Sequence, residues 1–309
     1  MRIAVIGAGA VGCYFGGMLA RAGVSVRLIG RQQHVGAIMR DGLFIDGLHV
    51  CERVRVLAST ELDSVRDSQI VLFCVKTLDT ESVAQALQPY LATGSMLLSF
   101  QNGVDNVERI YSATKIEAIP TVVYVACAMA GPGHVKHSGR GDLIIGIPAW
   151  QAKSSERRAM DLQPIAAMFQ DAGVPCRISS MIETELWTKM IMNCAYNAIS
   201  ALGRSQYGRI VNFKPARDLV ERIIEETVAV AGAEGVSLSA PTLIADAFKL
   251  AEAMAGAMSS TAQDINRGKA TEIDSLNGYV VRCGVKHGIP TPVNNAVHTL
   301  VKLLEQSVL

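Results

Sequence analysis

RIAVIGAGAVG, residues Arg2 to Gly12, opens with a β-branched run of the kind that forms a buried parallel strand. Arg2 to Ile6 runs straight into Gly7-Ala8-Gly9-Ala10-Val11-Gly12. Cys13 to Ala22 then has helical composition, and Val24 to Gly30, VSVRLIG, reads as a second strand. Strand, G-x-G-x-x-G, helix and strand within about 30 residues make the dinucleotide-binding unit of Rossmann-type domains. Each glycine has a physical reason. Gly7 permits a tight turn, Gly9 leaves room for a pyrophosphate against the backbone, and Gly12 lets helix and strand pack closely. The helix N-terminus adds unpaired N–H groups and a partial positive charge for the phosphates. Gly7, Ala8, Gly9, Ala10, Val11 and Gly12 are therefore the cofactor-binding candidates of the N-terminus.

The second strand ends at Gly30-Arg31, where an NAD site places Asp or Glu for the ribose 2′-hydroxyl and an NADP site places Arg for the 2′-phosphate. No carboxylate lies between Val24 and Val35. Arg31 thus favours NADP(H), against the plainer reading of a surface arginine that starts a helix. Farther on, Asp41 to Ala58 alternates like short strands or a hairpin. Gln69 to Val75 reads as a buried strand followed by Lys76-Thr77, and Asp79 to Tyr90 as a helix. Ser95 to Phe100 is a further strand ending in Gln101-Asn102-Gly103. Ligands gather outside the carboxyl ends of parallel strands, which sets Lys76 and Asn102 beside the glycine loop. A lysine or an Asn-Gly turn after a strand is otherwise ordinary loop chemistry. Ile116 to Ile147 changes to short apolar runs between glycines, expected to extend the sheet with antiparallel pairs. Ser154 to Ala172 reads as an amphipathic helix and Cys176 to Ile178 as a last strand. The boundary is expected near Ser179-Ser180, giving domains 1–180 and 181–309.

Beyond it the strand signals stop. Glu185 to Leu202, Pro215 to Glu234, Pro241 to Met258, Thr271 to His287 and Pro292 to Gln306 read as helices of an all-helical second domain. Thr291 is an expected N-cap before Pro at the first helical position. Thr271-Glu272-Ile273-Asp274 resembles a capping box with Asp in the reciprocal place, and an acid such as Glu272 is favoured in a first turn simply by the helix dipole. Lys189, Asn193 and Asn197 fall at successive i, i+4 positions and share one stripe of an otherwise apolar helix. That stripe is either a solvated face or the polar wall of a substrate cleft, with Lys189 as proton donor.

Composition narrows the classes. Of 309 residues, 50% are hydrophobic and 18% charged, with a net charge of +1. This describes a compact globular chain with no field for nucleic acid. No apolar run reaches the ~18 residues of a membrane span, and MRIAVIGAG leads into the glycine motif, not into a small-residue cleavage site. Cys13, Cys51, Cys74, Cys127, Cys176, Cys194 and Cys283 form no C-x-x-C pair, and His134 and His137 have no matching ligand cluster. Reduced thiols, no metal and a cytoplasmic location are expected.

Taken together, GAGAVG, LIGR ending at Arg31, CVKTLDT around Lys76, SFQNGVDN around Asn102, ELWTKMIMNCAYNAISAL around Lys189 and SSTAQDINRGKATEID from Ser259 to Asp274 resemble the ketopantoate reductase (2-dehydropantoate 2-reductase) family. The resemblance runs in order over nearly the whole chain. Thr261 and Lys269 depart from the frequent family forms SSMxQD and GRxTEID. The resemblance implies an NADPH-dependent reductase of a 2-oxo acid, working in a cleft between a Rossmann and a helical domain and making pantoate from ketopantoate for pantothenate and coenzyme A synthesis. It implies Lys189 as general acid and Glu272 as the holder of a substrate hydroxyl or of the catalytic lysine. Asn193, Asn197 and Ser260 would bind the 2-oxo acid, and Lys76 and Asn102 would meet both cofactor and substrate. A paralogous reductase of another 2-oxo acid and a non-catalytic NADPH-binding regulator are the alternatives. A helical domain rich in Ala, Met, Leu and Val is also expected to offer an apolar face to a twin subunit, so a homodimer is expected.

Overall fold

The computed structural model describes residues 1–308, with the side chains of 152–161 and 308 outside the description. The described residues include ten strands: β1 (Arg2–Ile6), β2 (Ser25–Ile29), β3 (Leu43–Gly47), β4 (Cys51–Val54), β5 (Leu57–Ser59), β6 (Ile70–Phe73), β7 (Met96–Ser99), β8 (Ile119–Gly131), β9 (His134–Ile145) and β10 (Cys176–Ile178). Five helices accompany them: α1 (Ala10–Arg21), α2 (Gln32–Asp41), α3 (Thr80–Leu87), α4 (Asn106–Thr114) and α5 (Ser155–Asp171). Seven more follow: α6 (Ile182–Leu202), α7 (Tyr207–Asn212), α8 (Lys214–Ala233), α9 (Ala240–Ala253), α10 (Ser260–Asn266), α11 (Asn277–His287) and α12 (Pro292–Val308). The fold is α/β, a Rossmann-type sheet domain followed by a helical one. The chain divides into two compact units, Met1–Gln101 with Asp105–Ile182, and Asn102–Val104 with Glu183–Leu309.

In the first unit β1 lies at the centre, parallel to β2 on one side and β6 on the other, with Ile3 opposite both Val26 and Ile70. Its side chains alternate between two cores, Ile3 and Val5 in one and Ala4 and Ile6 in the other. A strand covered on both faces has to be apolar throughout, which is why RIAVI shows no polar alternation. Cys13, Phe15 and Leu19 of α1 cover the first face; Ala84 and Leu87 of α3 with Val107 and Ile110 of α4 cover the second.

The parallel order is β5-β2-β1-β6-β7-β8. Connectivity therefore reverses between β1 and β6, the switch point at which such sheets leave a crevice for ligands. Past β8 the sheet changes character. β9 pairs antiparallel with β8, as expected from the glycine-punctuated runs, and β10 pairs parallel with β9. The Asp41 to Ala58 segment splits: the β3–β4 hairpin joins β9, whereas β5 joins β2 at the opposite edge.

The second unit is built around α6, which buries Met190, Ile191, Cys194, Ala195, Tyr196 and Ala198. Around it pack Val220, Ile223 and Ile224 of α8, Ala247 and Ala251 of α9, Val280 of α11 and Val297 and Val301 of α12. Each large side chain so buried contributes about 1.5–3 kcal/mol relative to exposure. None of the described helices is long and apolar enough to cross a membrane.

Two local expectations need correction, and a third, the Thr291 N-cap, holds in position but not in its bonding. The helix expected from Thr271 is broken: Ile273–Ser275 forms a 3₁₀ turn, and Leu276, at φ −111° and ψ −106°, separates it from α11. Asp274 does not close a capping box, because His298 Nε2 at 2.7 Å and Lys302 Nζ at 2.8 Å draw its carboxylate to α12. Thr291 stands where an N-cap stands, its carbonyl accepting from Asn295 N–H. Yet the Val293 and Asn294 N–H groups that such a residue would cap donate to the Glu226 carboxylate of α8, both at 2.9 Å. A carboxylate at a helix N-terminus also gains from the dipole, so it displaces a hydroxyl readily.

Candidate functional site

In the first unit the glycine loop follows β1 and leads into α1. Gly7 has φ +100°, and a Cβ there would lie 2.7 Å from the Cys74 carbonyl oxygen at the end of β6. The two strand ends at the switch point thus approach so closely that only glycine fits. Gly12 is packed equally hard, since a Cβ would lie 2.2 Å from the Gly7 carbonyl oxygen and 2.9 Å from Val5 Cγ1. Gly9 is the opposite case. It is exposed, and a Cβ would meet nothing within 4 Å. Gly9 occupies the N-cap of α1 and no side chain caps the helix, so the Ala10, Val11 and Gly12 N–H groups have no intrahelical acceptor. Open space over uncapped N–H groups, with a helix dipole behind them, is a fitted cradle for a pyrophosphate. Ala8 is buried beneath it, Ala10 and Val11 half-buried.

Arg31 is exposed at the N-cap of α2, one residue past Gly30, which donates to the Ser59 carbonyl of β5. Its guanidinium is therefore available to an anion at the end of β2. Lys76 is half-buried in the loop after β6. That loop is tied to the one after β7 by a buried polar network. Gln101 Nε2 donates to Thr80 Oγ1 at 2.8 Å and to the Val75 carbonyl at 3.2 Å, while Ser99 Oγ donates to Gln101 Oε1 at 2.9 Å. Arg109 of α4 adds a bond to the Thr77 carbonyl at 2.8 Å and a bidentate pair with Glu81. The Arg109 hydrogen bonds hold the Glu81 carboxyl below its ordinary range despite some burial. Gln101 and Thr80 were not singled out in the sequence. Their signal was there, as polar residues inside CVKTLDT and SFQNGVDN that have to be satisfied wherever they are buried.

The second unit gathers the remaining candidates. Lys189 Nζ donates to Asn102 Oδ1 at 2.9 Å, and Asn102 Nδ2 donates to Glu272 Oε2 at 2.9 Å. An ammonium, an amide and a carboxylate, all half-buried, form one hydrogen-bonded chain. Donor and acceptor ends of the amide are both used, so its orientation is fixed. Asn102 leaves β7 yet groups with the helical unit, anchored beside Val104, which packs against the α6 core.

One turn along α6, Asn193 is half-buried, and Asn197 is only 2% exposed. Asn197 Nδ2 faces Ser260 Oγ at 3.4 Å. Ser259 fixes this pairing: its Oγ caps α10 by accepting from Ala262 N–H at 3.1 Å and donates to the Asn197 carbonyl at 3.1 Å. The Ser259 N–H in turn donates to Ser200 Oγ at 3.2 Å. Ser260, exposed at the first position of α10, is thereby held beside the polar stripe. Thr261, by contrast, is buried. Among the described residues, no cluster of three or more His, Cys, Asp or Glu could hold a metal ion.

Comparison with known proteins bears on both units. The family model described as ketopantoate reductase PanE/ApbA matches residues 3–150, and that for the ketopantoate reductase PanE/ApbA C terminal matches 181–305. A 2-dehydropantoate 2-reductase of Halobacterium salinarum is 33% identical over 99% of both chains. The crystal structure of a PanE/ApbA family ketopantoate reductase from Ralstonia eutropha JMP134 is 46% identical, with a TM-score of 0.90 over 99% of both chains. A ternary structure of D-mandelate dehydrogenase with NADH and anilino(oxo)acetate is 25% identical, with a TM-score of 0.89 over 100% of this chain and 99% of that one. The chain belongs to the ketopantoate reductase family.

Proposed function

We propose that this family member is a cytoplasmic NADPH-dependent 2-dehydropantoate 2-reductase, converting ketopantoate to pantoate for pantothenate and coenzyme A synthesis. The observation that carries the reading is the Lys189–Asn102–Glu272 chain, an ammonium donor oriented by an amide that a carboxylate holds in turn. Gly7 to Gly12 would hold the pyrophosphate, Arg31 the 2′-phosphate, and Lys76 would lie at the end of β6 facing the ligand crevice. When bound, the reduced nicotinamide supplies the hydride. The protein's own residues handle the charge. Reduction of a ketone leaves negative charge on its oxygen, and the Lys189 ammonium would neutralise it by giving up a proton. Asn102 keeps the Nζ group aimed while the substrate is absent, and Glu272 would accept from the substrate's hydroxyl. Asn193, Asn197 and Ser260 would bind the carboxylate through neutral donors.

A second reading keeps the chemistry and changes the substrate. The likeness to a dehydrogenase of D-mandelate, an aromatic 2-hydroxy acid, supports a reductase of a bulkier 2-oxo acid. A regulator without turnover is disfavoured, since it would need only the glycine loop and not the ammonium–amide–carboxylate chain. Steady-state oxidation of NADPH with ketopantoate and a panel of branched and aromatic 2-oxo acids tests these readings. The highest kcat/KM on ketopantoate supports the first, the highest on an aromatic acid the second. NADPH binding with no turnover on any acid would refute both.

A further inference from the structure

We propose that Glu305, together with Lys302 and His298 on the same face of α12, is a positioning residue for Glu272. The inference rests on the role given to Glu272 above. Glu272 lies between two residues that are both fastened to α12. On one side, Thr271 is 1% exposed, and its N–H and Oγ1–H both donate to Glu305 Oε1, at 2.8 and 2.6 Å. Thr271 Oγ1 also accepts from Ile273 N–H at 3.2 Å, spanning Glu272. On the other side, the Asp274 carboxylate accepts from His298 Nε2 at 2.7 Å and Lys302 Nζ at 2.8 Å. Lys302 Nζ closes the ring with Glu305 Oε2 at 2.8 Å.

His298, Lys302 and Glu305 are spaced i, i+4, i+7, so one stripe of α12 faces both flanks of Glu272. A residue pinned on both sides has little freedom to carry its carboxylate away from Asn102. The charge states agree with the geometry. Burial pushes Glu305 up, but hydrogen bonds from Lys302 and then Thr271 outweigh it and keep the group ionised and accepting. The alternative is that the ring merely glues the C-terminal helix to the unit. Against it stands the placement, since every bond of this ring that leaves α12 lands on residue 271 or 274, the two bracketing the functional carboxylate.

The test uses the full chain with Glu305→Gln, Lys302→Met and Glu272→Ala, plus Glu305→Gln in the Glu272→Ala background. Readouts are kcat and KM for ketopantoate, NADPH affinity and the thermal midpoint. Glu305→Gln should lower kcat/KM by about tenfold or more, leave NADPH affinity within about twofold, and cause little further loss once Glu272 is gone, the signature of residues acting as a unit. Lys302→Met should behave alike and serves if Glu305→Gln fails to fold. An equal fold-loss in both backgrounds, or a lowered midpoint with unchanged kinetics, overturns the positioning role. If Glu272→Ala itself turns over normally, the role of Glu272 fails and this inference falls with it. A crippled Glu272→Ala beside an intact Glu305→Gln refutes the positioning role alone.

Discussion

Gly9→Ala and Gly12→Ala should separate cofactor binding from stability, because the same added methyl meets opposite surroundings. Gly9 has φ −86° and ψ −166°, a backbone any residue adopts, and its Cβ would meet nothing within 4 Å. Stability should therefore fall by no more than about 1 kcal/mol, the N-cap preference of Gly over Ala. The methyl would protrude into the space where a phosphate has to reach the uncapped N–H groups of α1. Losing one charge-assisted bond costs about 1.5–3 kcal/mol, or roughly ten- to hundredfold in the NADPH dissociation constant. Gly12→Ala gains about 1 kcal/mol of helix propensity. Its Cβ, however, would lie 2.2 Å from the Gly7 carbonyl oxygen, and a backbone atom cannot swing aside as a side chain can. The usual cost of overpacking, about 1–3 kcal/mol, is then a lower bound. Gly12→Ala should lower the thermal midpoint clearly more than Gly9→Ala does. NADPH fluorescence titration with thermal unfolding on both variants makes the comparison. Unchanged NADPH affinity in a normally stable Gly9→Ala protein would refute the cradle.

Other consequences follow from single groups. Arg31→Ala should erase most of a preference for NADPH over NADH, since in the proposed site Arg31 would meet the 2′-phosphate that only NADPH carries; equal catalytic efficiency with both cofactors in the unmodified protein contradicts this. Burial raises Asp274 and Glu305, but hydrogen bonds led by Lys302 leave both depressed. A depressed carboxyl gives stability that is present above its unfolded value and lost as pH falls through the folded one. The thermal midpoint should hold near neutrality and drop below about pH 4, less steeply in an Asp274→Asn, Glu305→Gln double variant; an equally steep drop in that variant counts against the network. The helical unit exposes Phe213, Val285, Leu300 and Leu303, apolar side chains that a twin subunit would cover, and light scattering near 33 kDa would reject the expected homodimer.

What could be read from the sequence was what local physics dictates. The glycine motif, the strands flanking it and the turn glycines are set by neighbours a few residues away, and α6 declares itself by a long run without Gly or Pro. The positions of β3, β4 and β5 were not legible, because an alternating segment does not say which edge it will join, and here it supplies both. The break at Leu276 was hidden for a similar reason. Its cause is tertiary: buried Asn277 donates to the Cys194 carbonyl and to Asn294, and Asp274 is drawn to α12. Asn102 and Glu272 lie 170 residues apart in the chain, and no spacing rule joins them. Glu305 looked like one more surface acid on a terminal amphipathic helix; only its 5% exposure reveals an internal group.

Replacing Lys189 tests the central claim most directly. If Lys189, held at 2.9 Å by Asn102, is the proton donor, Lys189→Ala should lower kcat on ketopantoate by roughly 10²–10⁴. NADPH affinity should barely change, because the glycine loop and Arg31 belong to the other unit. Near-normal turnover in Lys189→Ala would contradict the account and leave the proton to another donor.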